Sequence, residues 1–133
     1  MNPQIISFFT ELKKLALLSE RITKVQIRGE EVLSEKGYLR MRMVLNNKEL
    51  IELFVYVATQ KGQVSLKDYS LQWQKEDASL IQRWDNATHH HELENFPYHI
   101  HKENQVHSTP KIEKDDIVRI LSGIITKGGQ WEN

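Results

Sequence analysis

The chain has 133 residues, 39% apolar and 27% charged, with zero formal net charge and no cysteine. That length suits one domain over 1–133 with one core, and the lack of cysteine excludes disulfide frameworks, thiolate metal sites and thiol nucleophiles. The longest apolar run, Leu53 to Ala58, falls far short of the ~20 residues of a membrane span, and Met1-Asn2-Pro3-Gln4 has no basic leader character, so a cytoplasmic protein without membrane contact is expected.

Residues 1–18 read as an N-terminal helix starting near Pro3, a residue that suits a first turn. Ile5, Phe8, Phe9, Leu12, Leu15 and Ala16 recur at helical spacing, with Leu18 as a further inward candidate, and Glu11, Lys13 and Lys14 take the other side. From Ile22 the period shifts toward two. Thr23, Val25 and Ile27 alternate with Lys24, Gln26 and Arg28 until Gly29 breaks the pattern. Leu39, Met41, Met43 and Leu45 alternate with Tyr38, Arg40 and Arg42, the pattern of a half-buried strand. Asn46-Asn47-Lys48 is a turn. Leu50 to Ala58 is apolar on both faces, which predicts the most central strand, with Leu53, Val55 and Val57 among the most buried residues.

Lys61-Gly62-Gln63 makes a further turn, and residues 64–74 and 79–84 read as two more strands joined by Lys75-Glu76-Asp77-Ala78. Short connections favour antiparallel neighbours. Residues 22–84 therefore predict an antiparallel sheet of about five strands. Residues 85–112 show neither period and read as an irregular functional segment. A C-terminal helix over 113–127 follows, with Ile117, Ile120, Leu121 and Ile124 inward, acidic residues in its first turn and Gly128-Gly129 at its end. The expected fold is α+β, with both helices packed on the sheet.

All six histidines fall between positions 89 and 107. Imidazoles titrate near neutral pH, and a long loop in a compact domain is functional more often than not. His99 and His101 are two apart, so in extended chain they project to one side. Arg83 and Asp85 share that spacing at a strand end. An arginine there can bind a phosphate bidentately, and an aspartate can orient an imidazole. Asn86 can donate to a developing anion or make the turn. Of the run His89-His90-His91, His91 reads as a passenger, and His107 as a surface residue. Trp84 and Phe96 fit a core better than a base-stacking platform. His-x-His alone is a weak metal signal and no His-Glu-x-x-His is present, so neither a metal nor a cofactor is expected.

The charge is uneven. Residues 1–48 carry nine Lys/Arg against five Glu, whereas Arg83 and Lys102 face four carboxylates between 83 and 107. An enzyme acting on RNA would have to recruit Arg28, Arg40 and Arg42 to hold the backbone.

The run Arg83-Trp84-Asp85-Asn86-Ala87-Thr88-His89-His90, followed by Phe96-Pro97-Tyr98-His99-Ile100-His101 and the terminal helix, resembles the TumE-like proteins, toxin components of prokaryotic type II toxin–antitoxin modules. Their motif runs approximately Arg-Tyr-Asp-Asn-Ala-Pro-His-His, a short acidic spacer, then Pro-His-His-x-His. The likeness covers residues 80–125, with Trp84, Thr88 and Tyr98 as departures. It implies a growth-inhibiting effector that acts on RNA and a cognate antitoxin partner. The expected function is a toxin-like, metal-independent ribonuclease in which Arg83, Asp85, Asn86, His89, His90, His99 and His101 form the site. One catalytic imidazole would come from His89/His90 and one from His99/His101. The alternative is a non-enzymatic module whose His-rich loop binds a partner protein or a metal ion.

Overall fold

A computed structural model describes residues 2–87 and 98–127. Helix α1 covers Pro3–Leu17 and is followed by strands β1 (Ile22–Val32), β2 (Lys36–Leu45), β3 (Leu50–Gln60), β4 (Gln63–Gln74), β5 (Leu80–Asp85), β6 (His99–Lys102) and β7 (Gln105–Ser108), then helix α2 (Lys114–Lys127). The strands pair in sequence order, every neighbour antiparallel. The α+β class and the meander agree with expectation, but among the described residues the sheet has seven strands rather than about five.

Both added strands come from the segment read as irregular. Glu103 and Asn104 have φ of 53° and 63°, the left-handed pair of a two-residue hairpin whose twist matches its strands. The turn folds β7 back on β6. Gly29 does not end β1 either. A register shift between Ile27 and Gly29 absorbs it, and pairing continues to Val32. A Cβ at Gly29 would stand 3.0 Å from the ring of Tyr38.

Alternation decides which side of the sheet is covered. Ile27, Met41, Leu53, Leu71, Trp84 and Ile100 are successive cross-strand partners, one row running over six strands. From Met41 to Ile100 the row is buried, and it belongs to the core formed with α1 and α2. Leu53, Val55 and Val57 are at most 1% exposed, as expected of the central strand. Helix α1 lies over β1 to β4 and against α2. Its core face is Ile5, Phe8, Phe9, Leu12 and Ala16. Leu18 instead sits at the C-cap, 78% exposed. In α2 the inward residues are Ile117, Ile120, Leu121, Ile124 and Ile125.

Local chemistry fixes the helix starts. Asn2 caps α1 by accepting from the amides of Gln4 and Ile5, both at 3.1 Å, and its own amide donates to the Ser34 carbonyl at 3.0 Å. In α2 the Asp116 carboxylate accepts from the Glu113 amide at 2.9 Å, placing negative charge at the helix N-terminus.

Gly37 on β2 lies close against both the β1 backbone and α1. A Cβ there would come 2.7 Å from the Glu31 carbonyl oxygen and 3.1 Å from a methyl of Ile5. Backbone cannot yield as a flexible side chain can. Gly37→Ala is therefore expected to cost about 1–3 kcal/mol, read as a lower urea midpoint at unchanged slope.

Candidate active site

The row assignments that bury Trp84 and Ile100 force their neighbours to the opposite face, away from α1 and α2. Asp85 pairs with His99 and Arg83 with His101. The four candidate side chains thus come together as two adjacent cross-strand pairs on one face, within the two strands β5 and β6. The sequence spacing of two on each strand gives the common side. The antiparallel register gives the contacts.

Asp85 is the hub. Its Oδ1 is 2.6 Å from His99 Nε2, and its Oδ2 is 2.8 Å from Arg83 Nε and 3.5 Å from His101 Nε2. All three groups lie within ion-pair distance of the carboxylate. Oδ1 also accepts from the Ala87 amide at 3.2 Å, which pins the end of β5. The two imidazoles meet edge to face, with centroids 4.8 Å apart.

Burial separates their roles. The side chains of Asp85 and His99 are 2% and 1% exposed, while His101 is 22% and Arg83 39% exposed. Arg83 is braced by a hydrogen bond from Nη1 to Gln72 Oε1 at 3.3 Å, and Gln72 is its register partner on β4. A buried carboxylate thus holds one sequestered imidazole, one accessible imidazole and one accessible guanidinium. Such an arrangement can orient an acid–base group and bind an anion beside it.

Asn86 turns away from this cluster. Its Oδ1 accepts from the Tyr69 amide at 3.1 Å and its Nδ2 donates to the Lys67 carbonyl at 2.8 Å, so both ends of the carboxamide are engaged in tying β4 to the end of β5. Trp84 is 2% exposed in the core, so the tryptophan that departs from the family tyrosine lies on the face away from Asp85. His107 is exposed. Thr88, His89, His90, His91, Phe96 and Pro97 lie outside the described residues.

Tyr69 is a neighbour that sequence patterning did not single out. It is 3% exposed on the core side, beside Ser70, the register partner of Asp85. Burial first, and then the negative charges of Asp85, Tyr98 and Asp116, push its pKa far above the ordinary 10.0. Thr109 pulls the other way, as the smallest of these influences. A group whose folded pKa is raised gives stability that is present below its unfolded pKa and lost as pH rises beyond it. Tyr69→Phe is therefore expected to lessen the alkaline loss of stability, read as unfolding midpoints compared with wild type across the alkaline range.

Asp85, His99 and His101 also form a donor set for a cation. One ligand atom from each lies within 4.8 Å of the others, and three protein ligands are what a catalytic zinc site uses. Against a cation stands Arg83, whose positive charge already faces Asp85 Oδ2. The larger clefts, beside α1, are lined by none of these four residues.

A protein-family model described as Toxin TumE matches residues 12–131. The chain belongs to the Toxin TumE family. No curated protein and no solved structure matches it. The match extends well beyond the motif over 80–125 and takes in the C-terminal part of α1, the whole sheet and α2, so the family pattern includes the strands that carry no histidine. Among the described residues no helix is long and apolar enough to cross a membrane.

Proposed function

We propose that this member of the Toxin TumE family is a growth-inhibiting toxin that cleaves RNA by histidine acid–base chemistry without a metal. The observation that carries the reading is the in-register pairing of Asp85 with His99 and Arg83 with His101 on the face away from α1 and α2. A neutral imidazole takes the 2′-hydroxyl proton, the 2′-oxygen attacks phosphorus, and the bond to the 5′-oxygen breaks. An imidazolium protonates that leaving oxygen, leaving a 2′,3′-cyclic phosphate and a 5′-hydroxyl. His101, the exposed imidazole of the pair, supplies one of these roles, and His89 or His90 the other. Asp85 fixes the orientation of the imidazoles, buried His99 packs the carboxylate in place, and Arg83 stabilises charge on the phosphorane.

The family name supports a cognate antitoxin as partner. Induction of the chain alone is expected to arrest growth. Co-expression of the adjacent small protein should relieve the arrest, and the two should co-purify. Unchanged growth with a verified folded product would favour the non-enzymatic binding module.

A second reading has its own support. The convergence of Asp85, His99 and His101 suits a divalent ion, which would supply a Lewis acid or an activated water. Growth arrest and cleavage that vanish with chelator and return with a divalent ion would select it.

A further inference from the structure

The two rows that end in the histidine pairs begin on the same face, three and four strands away, in arginines on β2. Arg40, Phe54, Ser70, Asp85 and His99 are successive partners across β2 to β6, and Arg42, Glu52, Gln72, Arg83 and His101 form the adjacent row. Arg28, at the β1 bulge, joins them. Arg28, Arg40, Arg42 and Arg83 line one groove of about 410 Å³ floored by Phe54 and Gln72.

Its charge is local. The chain is neutral overall, yet this lining holds four arginines against one carboxylate, Glu52, which lies 3.8 Å from Arg42 with both side chains well exposed. Such an exposed pair is weak. All four cations are arginine, whose planar fork suits bidentate phosphate contacts. Two are braced: Arg40 lies 4.4 Å above the Phe54 ring, and Arg83 against Asp85 and Gln72. Tyr38 and Tyr56 are register partners beside them on the same face, neither buried. A positive groove with aromatic faces beside it is how sequence-tolerant proteins hold single strands.

We infer that this groove binds the phosphodiester backbone of single-stranded RNA across β1 to β5 and delivers it to His101. Three strand intervals separate Arg40 from Asp85, roughly 14 Å at ordinary strand spacing, so more than one phosphate lies on the path. The delivery rests on the ribonuclease reading; the binding does not.

The test is fluorescence anisotropy of a labelled oligouridylate with the full chain. The combined variant Arg28→Gln, Arg40→Gln, Arg42→Gln is expected to bind about tenfold more weakly or worse, with a salt slope lower by roughly 2, since each lost single-strand phosphate contact removes about 0.7. All three positions face solvent or are half-buried, so the circular dichroism should match wild type. Lys14→Gln, Lys75→Gln, Lys111→Gln changes net charge equally at exposed sites outside the groove and should leave affinity unchanged. The inference is overturned if wild type does not bind, if the arginine variant binds as well, if the lysine variant weakens as much, or if duplex DNA competes equally. RNA bound through the arginines but left uncut keeps the groove and removes the ribonuclease reading.

Discussion

Asp85→Asn is expected to abolish growth inhibition while the protein still folds. The carboxylate contacts His99, His101 and Arg83 at 2.6, 3.5 and 2.8 Å. Asparagine fills the same space and keeps an oxygen for the Ala87 amide, but carries no charge and presents N–H groups to one or more donors. Loss of a charged hydrogen-bonding partner costs about 1.5–3 kcal/mol, toward the low end here because Arg83 is substantially exposed. The functional loss is larger. An imidazole released from its orienting carboxylate takes the wrong tautomer or ring angle, and that typically costs about 10²–10⁴-fold in rate. Paired melts and RNA cleavage rates of wild type and variant check both parts. A variant that melts well below wild type and is inactive only through unfolding would count against an orienting role.

His101→Ala is expected to lose about 10²–10⁴-fold in cleavage with little change in melting temperature. The side chain is 22% exposed, on the face away from α1 and α2, and is not a member of the hydrophobic core cluster. His99→Ala differs in kind. Its side chain is 1% exposed against the buried Asp85, so its removal should cost stability as well as rate. A comparison of the two variants separates the chemical role from the packing role. Equal, full activity in both would remove the histidine mechanism.

Much of this site was legible because period-two alternation is a local property. Arg83/Asp85 and His99/His101 were readable as one-sided pairs from their spacing alone. Likewise the burial of Leu53, Val55 and Val57 followed from the apolar run around them. The number of strands was not legible. β6 and β7 have four residues each, too few for periodicity to register, and the hairpin between them depends on left-handed Glu103 and Asn104. Glutamate gives no such signal; Asn104 with the alternation His99-Ile100-His101 was the clue available. The pairing of Asp85 with His99 depends on register, which is set by which residues the core takes. Trp84 and Ile100 made that choice. The engagement of Asn86 with Lys67 and Tyr69 on β4 is a long-range contact with no trace in spacing. The rows that join the basic strands to the histidines likewise emerge only from the sheet order.

In the proposed mechanism the histidines act as acid and base and not as metal ligands. The most direct measurement is the identity of the RNA ends left by purified protein in excess chelator. Histidine-catalysed transfer predicts undiminished cleavage giving 2′,3′-cyclic phosphate and 5′-hydroxyl ends, because the 2′-oxygen is the nucleophile. Cleavage that stops in chelator, or that leaves 5′-phosphate ends from attack by an activated water, would contradict it.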